Sequence, residues 1–481
     1  MKVIRNYLYN VSYNILNLIL PLITGPYVSR KLGVTGVGIN SYTNSIVTWF
    51  VLFGSIGIAF YGNREIAYVR NNKKLLTKTF IELQILKTIT IVISYIVFLI
   101  LIFFSKNYKY YLMLQSIYII AALFDISWLY MGVENFKVTV VRNSLIKILS
   151  VILILLFIKD RKDLGLYILL LALSTFFGNL TLWPSLKKEL VKINIQTINP
   201  FRHFKGSISL FIPLAAVQLY VGLNKTMLGF LDNPDASGFY DKTDSLIKVM
   251  LTLITSLSTV LLPYTAKSVA AGKIKEVKIV LYKSFDFASF IAFPMAFGIA
   301  SISIKFGSFF YGKGFTVVGY ALLLEAIIII FMSWSSITGN QYLVPTNQVS
   351  PYTKSILVGA GVNVILNIPL ILTYGVYGGI ISTVIAEFSV ALYQILYIKP
   401  QIEIKRMFKN VPKYLFSSLI MFIVVFSINI KFNMDFYTLI FEIIIGILIY
   451  ILMIFITKPT ILQYLNGSII SLYNKLRGRC F

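Results

Sequence analysis

The sequence predicts an all-α polytopic membrane protein with about fourteen transmembrane helices, and two observations carry that prediction. The chain has 481 residues, of which 57% are hydrophobic and only 13% are charged, and its mean hydropathy is +0.81. A soluble domain could not cover so much apolar surface, because about half of an ordinary domain is polar. Apolar runs of about twenty residues, the length that crosses a bilayer core, also recur along the whole chain.

Each predicted span is an apolar run bounded by polar or basic residues. The fourteen runs cover approximately residues 7–28, 40–62, 80–104, 110–131, 143–158, 164–184, 207–230, 244–265, 284–305, 318–340, 355–374, 377–397, 413–430 and 436–457. With a cytoplasmic N-terminus, most of the 44 Lys and Arg residues fall in cytoplasmic segments, as is typical of membrane proteins. The charge pattern therefore predicts a multi-pass membrane protein with both termini in the cytoplasm.

Polar connectors divide the predicted spans into three regions. The basic connector 185–206 separates an N-terminal lobe (1–195, spans 1–6) from a C-terminal lobe (196–400, spans 7–12). Spans 13 and 14 and a basic cytoplasmic tail form the region 401–481. We expect the two lobes to be related repeats, as in many transporters.

An apolar helix with polar residues and proline, followed by glycines, occurs once in each predicted lobe. The first copy is the stretch 14–42 and the second is the stretch 210–244. Pro21 and Pro213 are predicted hinges, since proline removes a helical hydrogen bond. The glycines of the first copy, predicted to form a turn, are Gly33, Gly36 and Gly38. Asn14 and Tyr240 are predicted to line a cavity.

Four basic residues are candidate contacts for an anionic substrate: Arg30, Lys225, Arg64 and Lys248. Charged groups in membrane spans are costly, and they usually face a cavity or a partner. The alternative interpretation is that these side chains reach the membrane interface or pair with Asp241 and Asp244.

The sequence argues against several other classes of protein. The net charge of +26 is explained by cytoplasmic loops, so no nucleic-acid partner is expected. Acidic residues are scattered one per span, without the spacing of a catalytic pair or a metal site. The single histidine, His203, lies in a basic connector and is expected to be a solvated loop residue. Asn363 and Asn367 lie one turn apart, and we expect them to bond a neighbouring helix.

Several short phrases together carry a family resemblance. They are Asp125-x-x-Trp128-x-x-x-Gly132-x-Glu134-x-Phe136, Tyr61-Gly-Asn-Arg64-Glu-Ile-Ala67, Asn224-Lys225-Thr-Met-Leu-Gly229 with Gly238-Phe-Tyr240, and Gln341-Tyr-Leu-Val-Pro345 with Asn363 and Asn367. The chain resembles the Wzx-type oligosaccharide flippases of the MOP superfamily, in particular the Gram-positive capsule and exopolysaccharide branch. The resemblance covers spans 1–12 and, more loosely, spans 13 and 14.

The resemblance implies a fold, a substrate and a mechanism. The fold is a MATE/MurJ-like V-shaped arrangement of two six-helix lobes around a cationic cavity. The substrate is an undecaprenyl-diphosphate-linked repeat unit, moved to the outer leaflet by alternating access. No cofactor is expected, and coupling would come from H⁺, Na⁺ or the membrane potential. Partners beyond the lipid-linked oligosaccharide and membrane lipid would be a polysaccharide polymerase and chain-length regulators.

Two other functions fit a polytopic protein. A MATE-like antiporter of small molecules or cations would need acidic sites, whereas the candidate residues here are mainly basic. An integral-membrane polysaccharide polymerase would need catalytic residues in a large outside loop, and the predicted outside loops are short. Transport without enzymatic activity is therefore the favoured interpretation.

Overall fold

A computed structural model describes the backbone of residues 2–194 and 198–462, which is helical between its loops. Within those ranges side chains are described apart from those of residues 2–15, 17–18, 136–139, 141, 213–214, 216–217, 219–221, 253 and 255–264. The chain divides into two compact units, Met1–Asp241 and Lys242–Phe481. The domain boundaries drawn from the sequence at 195 and 400 follow polar connectors instead, and they stay predictions.

The first unit contains helices α1 to α10. They are α1 (Lys2–Ser55), α2 (Ile58–Val69), α3 (Lys73–Phe104), α4 (Lys109–Gln115), α5 (Ile117–Phe124), α6 (Ser127–Gly132), α7 (Phe136–Phe157), α8 (Leu164–Leu180), α9 (Leu186–Glu189) and α10 (Phe204–Leu231). Helix α1 packs against α3, α7 and α10, while α2 packs against α6 and α5 against α8. The long α1 is thus the helix on which most of this unit is assembled.

Helix α1 consists of two helical segments that meet at a kink at Gly33, within the stretch where the sequence predicts a glycine-rich turn between two spans. Its only non-helical residue is Gly33 (φ 71°, ψ −177°), and helical backbone continues through Pro21. The prediction of a turn is therefore wrong for Gly36 and Gly38. A Cβ atom at Gly38 would lie 2.5 Å from the carbonyl oxygen of Pro234, so this glycine serves a close helix–helix approach.

The motif around Trp128 forms part of the core of the first unit. The Trp128 ring stacks on Phe80, with ring centroids 5.5 Å apart, and Gly62 lies directly against it. Lys87 Nζ donates to the carbonyl oxygen of Asp125 at 2.6 Å. These contacts give the motif a packing role, and the lysine is held in the apolar region by a backbone partner.

The second unit contains most of α11 and all of α12 to α19. They are α11 (Pro234–Ala270), α12 (Ile274–Tyr311), α13 (Thr316–Glu325), α14 (Ile328–Thr338), α15 (Val349–Tyr374), α16 (Val376–Ile398), α17 (Ile404–Met407), α18 (Val411–Lys431) and α19 (Phe436–Thr457). Helix α12 packs against α13, α14 and α18, and α15 packs against α16. Asn363 Nδ2 donates to Ser382 Oγ at 3.3 Å and Asn367 Nδ2 to Asn363 Oδ1 at 3.0 Å. The expected bond to a neighbouring helix, here α16, is present for Asn363, whereas Asn367 bonds Asn363 on the same helix.

The all-helical membrane fold is confirmed. In the described part of the chain nine helices are long and apolar enough to cross a membrane, or ten when the pair α13 and α14, bent by 43°, is counted as one span. The predicted span 40–62 and the second part of the predicted span 7–28 fall in one of these candidates, Ile19–Val69. The protein is a multi-pass membrane protein, and the count of fourteen spans stays a prediction.

Candidate functional site

The two stretches that the sequence presents as counterparts pack on each other within the first unit. Trp49 Nε1 donates to Thr226 Oγ1 at 3.0 Å, and Thr226 Oγ1 donates to Ser45 Oγ at 2.9 Å. Further along, Ser41 Oγ donates to the carbonyl oxygen of Ser237 at 3.1 Å. Polar side chains therefore join α1 to α10 and to the first turns of α11, in the manner of interhelical bonds in membranes.

Lys225 lies near the end of α10 and is ion-paired with Asp241. Both side chains are about one-quarter exposed (26% each). In the preceding position, Asn224 Nδ2 donates to the hydroxyl of Tyr240 at 2.6 Å. The alternative that the sequence left open for Lys225, a carboxylate partner on the next helix, is thus present in the structure.

Tyr240 is only 2% exposed, which favours a packing role between α10 and α11 over a cavity-lining role. Asn14 lies within α1, and Pro213 lies within α10. Their side chains fall outside the described residues, so the predicted cavity-lining and hinge roles stay predictions. Pro21 lies within helical backbone and lines a cavity of the first unit, and its hinge role also stays a prediction.

Arg64 and Arg30 lie elsewhere in the first unit. Arg64 Nη2 is 3.0 Å from Glu65 Oε1, and the guanidinium lies 5.2 Å from the centre of the Tyr61 ring. Arg30 is exposed on α1, three residues before the break at Gly33. Ser45, which contacts Thr226, lies on the other side of that break.

Lys248 belongs to the second unit, on α11. Its Nζ is 2.6 Å from Asp244 Oδ2, one turn earlier on the same helix. Glu325, at the end of α13, is 1% exposed. Three of the four residues predicted to contact an anionic substrate, Lys225, Arg64 and Lys248, are therefore paired with a carboxylate.

One buried polar cluster was missed by the sequence analysis. Glu82, on α3, is fully buried; its Oε2 lies 2.5 Å from Arg202 Nη2 and 3.1 Å from His203 Nε2. His203 is 5% exposed, and its Nδ1 lies 3.0 Å from the Tyr61 hydroxyl. The expectation of a solvated histidine is wrong, because the connector folds back onto α3. The available signal was an acidic residue near the start of an apolar span.

Burial governs the protonation of that histidine. Loss of hydration lowers the pKa of His203, and the nearby positive charge of Arg202 acts in the same direction. The hydrogen bond with Glu82 raises the pKa and offsets part of this effect. Among the described side chains there is no group of three or more His, Cys, Asp or Glu residues that could hold a metal ion. The cluster is therefore an ion-pair network that ties the connector to α3.

Comparison with known proteins identifies relatives over most of the chain. The chain is 21% identical over 403 residues to a protein of Escherichia coli named "Putative O-antigen transporter", an alignment that covers 82% of this chain and 96% of the relative. It is 22% identical over 237 residues to the "Probable low-salt glycan biosynthesis flippase Agl15" of Haloferax volcanii, covering 49% of each chain.

Solved structures share the fold. The structure titled "Lipid II flippase MurJ, inward closed conformation" matches with a TM-score of 0.71 at 19% identity, covering 94% of this chain and 98% of the other. An inward-facing multidrug resistance MATE family transporter of the MOP superfamily matches with a TM-score of 0.63 at 13% identity, covering 82% and 96%. Because both identities are low, these matches concern the fold alone.

A family model extends over more than half of the chain. It matches residues 3–269, which include all of α1 to α10 and nearly all of α11. The match therefore contains the Trp128 core, the α1–α10 contact and the Lys225–Asp241 pair. The chain belongs to the family described as polysaccharide biosynthesis protein.

Proposed function

We propose that this protein moves polyprenyl-diphosphate-linked oligosaccharide repeat units from the inner to the outer leaflet of a bacterial cytoplasmic membrane, by alternating access. The units would serve capsule or exopolysaccharide synthesis, in the Gram-positive branch of the family. The observation that carries the proposal is the alignment over 96% of a relative named as an O-antigen transporter. The fold shared with a lipid II flippase is consistent with it.

The chain would act as a transporter and not as an enzyme, since the relatives are named as transporters and flippases. Its orientation follows the charge rule, with both termini in the cytoplasm. A polysaccharide polymerase and chain-length regulators are the proposed partners, because the translocated repeat units would be their substrate. These assignments extend the proposal beyond the family membership.

Lys225 is the proposed first contact for the diphosphate, and the mechanism is an exchange of anionic partners. In the unliganded protein Asp241 neutralises the lysine, so that no unpaired ammonium lies in the membrane region. A diphosphate with about two negative charges would compete with that single carboxylate, since charge-assisted bonds to phosphate are strong. Lys248 would exchange its partner Asp244 for the diphosphate in the same way. Arg64 and Arg30 would supply further positive charge.

Membrane potential is the proposed source of energy in this scheme. The cell interior is negative, so moving about two negative charges outward across ~100 mV would release roughly 4–5 kcal/mol, at ~2.3 kcal/mol per charge. Coupling to H⁺ or Na⁺ is the alternative source. An ionophore that removes the potential without changing the pH difference would distinguish these two sources by its effect on transport.

The test is a deletion of the gene in its own organism. We expect lipid-linked repeat units to accumulate in the membrane and the surface polysaccharide to fall, with both effects reversed by the wild-type chain. Lipid-linked units are quantified by mass spectrometry, and surface polymer by immunoassay. An unchanged level of surface polymer would refute the proposal, and a new sensitivity to cationic drugs would favour the MATE-like alternative.

A further inference from the structure

A cavity of about 350 Å³, with a mainly apolar wall that includes polar and basic side chains, lies in the first unit between α1, α5, α7 and α8. Its walls combine apolar residues with hydroxyl and amide groups, among them Tyr118, Asn143 and Ser174. Among the described residues that line it, only Arg142 and Lys147 carry a charge, and both charges are positive. The volume is in the range of small-ligand sites, and the walls offer many donors.

The guanidinium of Arg142 is fixed in the wall of this cavity by neutral acceptors. Its Nη1 donates to the carbonyl oxygen of Gly178 at 2.8 Å and to Asn179 Oδ1 at 3.0 Å. Asn179 is itself held by a bond from its Nδ2 to the carbonyl oxygen of Ala121 at 2.7 Å. The guanidinium is therefore positioned by backbone and side-chain oxygens of α8, and α5 supports that contact through Asn179.

Lys147 lies on the cavity face of α7. The lining residues Asn143, Lys147, Ser150 and Ile154 follow one another at helical spacing. The opposite face carries exposed apolar residues such as Leu145, which is 62% exposed, and is the face suited to lipid. Lys147, an exposed residue, therefore lies on the face of α7 that lines the cavity.

We infer that this cavity is a binding site for a phosphate-bearing anion. Two cations that share one cavity in a membrane lobe repel each other and favour an anion between them. Arginine with a fixed guanidinium suits phosphate oxygens, and lysine adds a mobile point charge. The surrounding hydroxyl and amide groups can bond the remaining oxygens or an attached sugar.

Two sources supply this chemistry, the diphosphate group of the lipid-linked oligosaccharide and the headgroup of an anionic membrane lipid. The choice of the first source rests on the proposed function, whereas binding of the anion itself does not. The site is separate from Lys225, whose charge is matched by Asp241.

The test is binding of pyrophosphate to the purified full-length protein in phosphatidylcholine nanodiscs, measured by calorimetry. We expect saturable binding by the wild-type chain and at least tenfold weaker binding by Lys147→Gln and Arg142→Gln. Lys159→Gln is the matched control, because it removes the same charge from an exposed loop lysine between α7 and α8, and we expect unchanged binding. Equal affinity in all four proteins, or no binding by the wild type, overturns the inference.

Arg142→Lys covers the case in which Arg142→Gln fails to fold, since it keeps the charge while removing the planar donor group; we expect intermediate affinity. Two further arms identify the source. Stronger competition by farnesyl diphosphate than by phosphatidylglycerol in the nanodisc assigns the site to the substrate, and the reverse assigns it to a lipid headgroup. If the protein binds pyrophosphate but does not support export, the proposed function is refuted and the anion site stands. If the protein supports export but does not bind pyrophosphate, the anion site is refuted and the proposed function stands.

Discussion

Lys225 can contribute to stability, through its ion pair with Asp241, and to substrate binding. Variants of the pair can separate these two roles. Lys225→Ala leaves Asp241 without its cation, and we expect a loss of unfolding free energy on the order of 1–3 kcal/mol, between exposed and buried pairs. The double variant Lys225→Ala/Asp241→Asn should recover most of that loss, because no unpaired charge remains. Thermal unfolding in detergent measures both effects.

Export gives the second readout for the same variants. If Lys225 contacts the diphosphate, neither the single nor the double variant restores surface polysaccharide, even where stability recovers. Asp241→Asn alone should keep export, since it retains the lysine. Normal export by the double variant would mean that the lysine serves only to pair with Asp241.

His203 gives a prediction about pH. Its pKa is lowered by burial, so below the ordinary value of about 6.5 the unfolded chain binds more protons than the folded one. Stability should therefore fall as the pH decreases from about 6.5 toward the lowered pKa. The charged and titratable groups around the ring are Glu82, Arg202, Tyr61 and Glu65. We expect His203→Gln to reduce the dependence of the unfolding temperature between pH ~7 and ~5.5, and an unchanged slope would contradict this assignment.

At this scale the sequence identified residue types better than it identified their partners. Lys225 was recognisable because a charge inside an apolar helix requires a cavity or a counter-ion. His203 was misjudged because its partner Glu82 is 121 residues away in the chain, and hydropathy carries no information about such a contact. The charges of Arg142 and Lys147 are visible in the sequence. Their common cavity is not, because it depends on the packing of four helices.

At the scale of the helices, Gly38 is a position where an added side chain would meet the backbone of another helix. Its Cα lies where the first turns of α11 approach α1, and an added Cβ would lie 2.5 Å from a backbone oxygen of Pro234. We expect Gly38→Ala to lower the unfolding temperature and the yield of monodisperse protein, because two backbones would have to separate. Fluorescence-detected size-exclusion chromatography measures the yield, and differential scanning fluorimetry the temperature.

Gly361 provides the matched control for that prediction. It lies inside α15, and an added Cβ would meet nothing within 4 Å. Alanine there should leave stability unchanged or raise it slightly, since alanine has the higher helix propensity. Equal effects of the two substitutions would mean that the close approach at Gly38 is not limiting.

Helices were predicted more reliably than their ends. Apolar runs reveal spans, because a bilayer forces the backbone to bond within each segment. Breaks are harder to predict: Gly33 interrupts α1, whereas Pro21 does not, since membrane helices can satisfy the groups that proline frees. The bend between α13 and α14 carries no glycine or proline, and so it left no signal in the sequence.

For the whole molecule, the family match and the hydropathy pattern support the same class of protein by independent routes. Hydropathy gives the membrane fold from composition, and the comparisons give polysaccharide biosynthesis from the order of residues. Neither route assigns an inside and an outside to the chain. That assignment depends on the basic residues, which are concentrated in alternate loops.

Cysteine labelling tests this orientation with few changes, because Cys480 is the only cysteine in the chain. If both termini are cytoplasmic, a membrane-impermeant maleimide should label Cys480 only after lysis. Lys162→Cys, introduced with Cys480→Ser, places a thiol in the exposed loop between α7 and α8 and should be labelled in intact cells. The reverse pattern would mean that the basic segments face outward, against the usual rule for cytoplasmic loops. The membrane potential would still drive an anionic substrate out of the cell, but the substrate would then enter the protein from the opposite end.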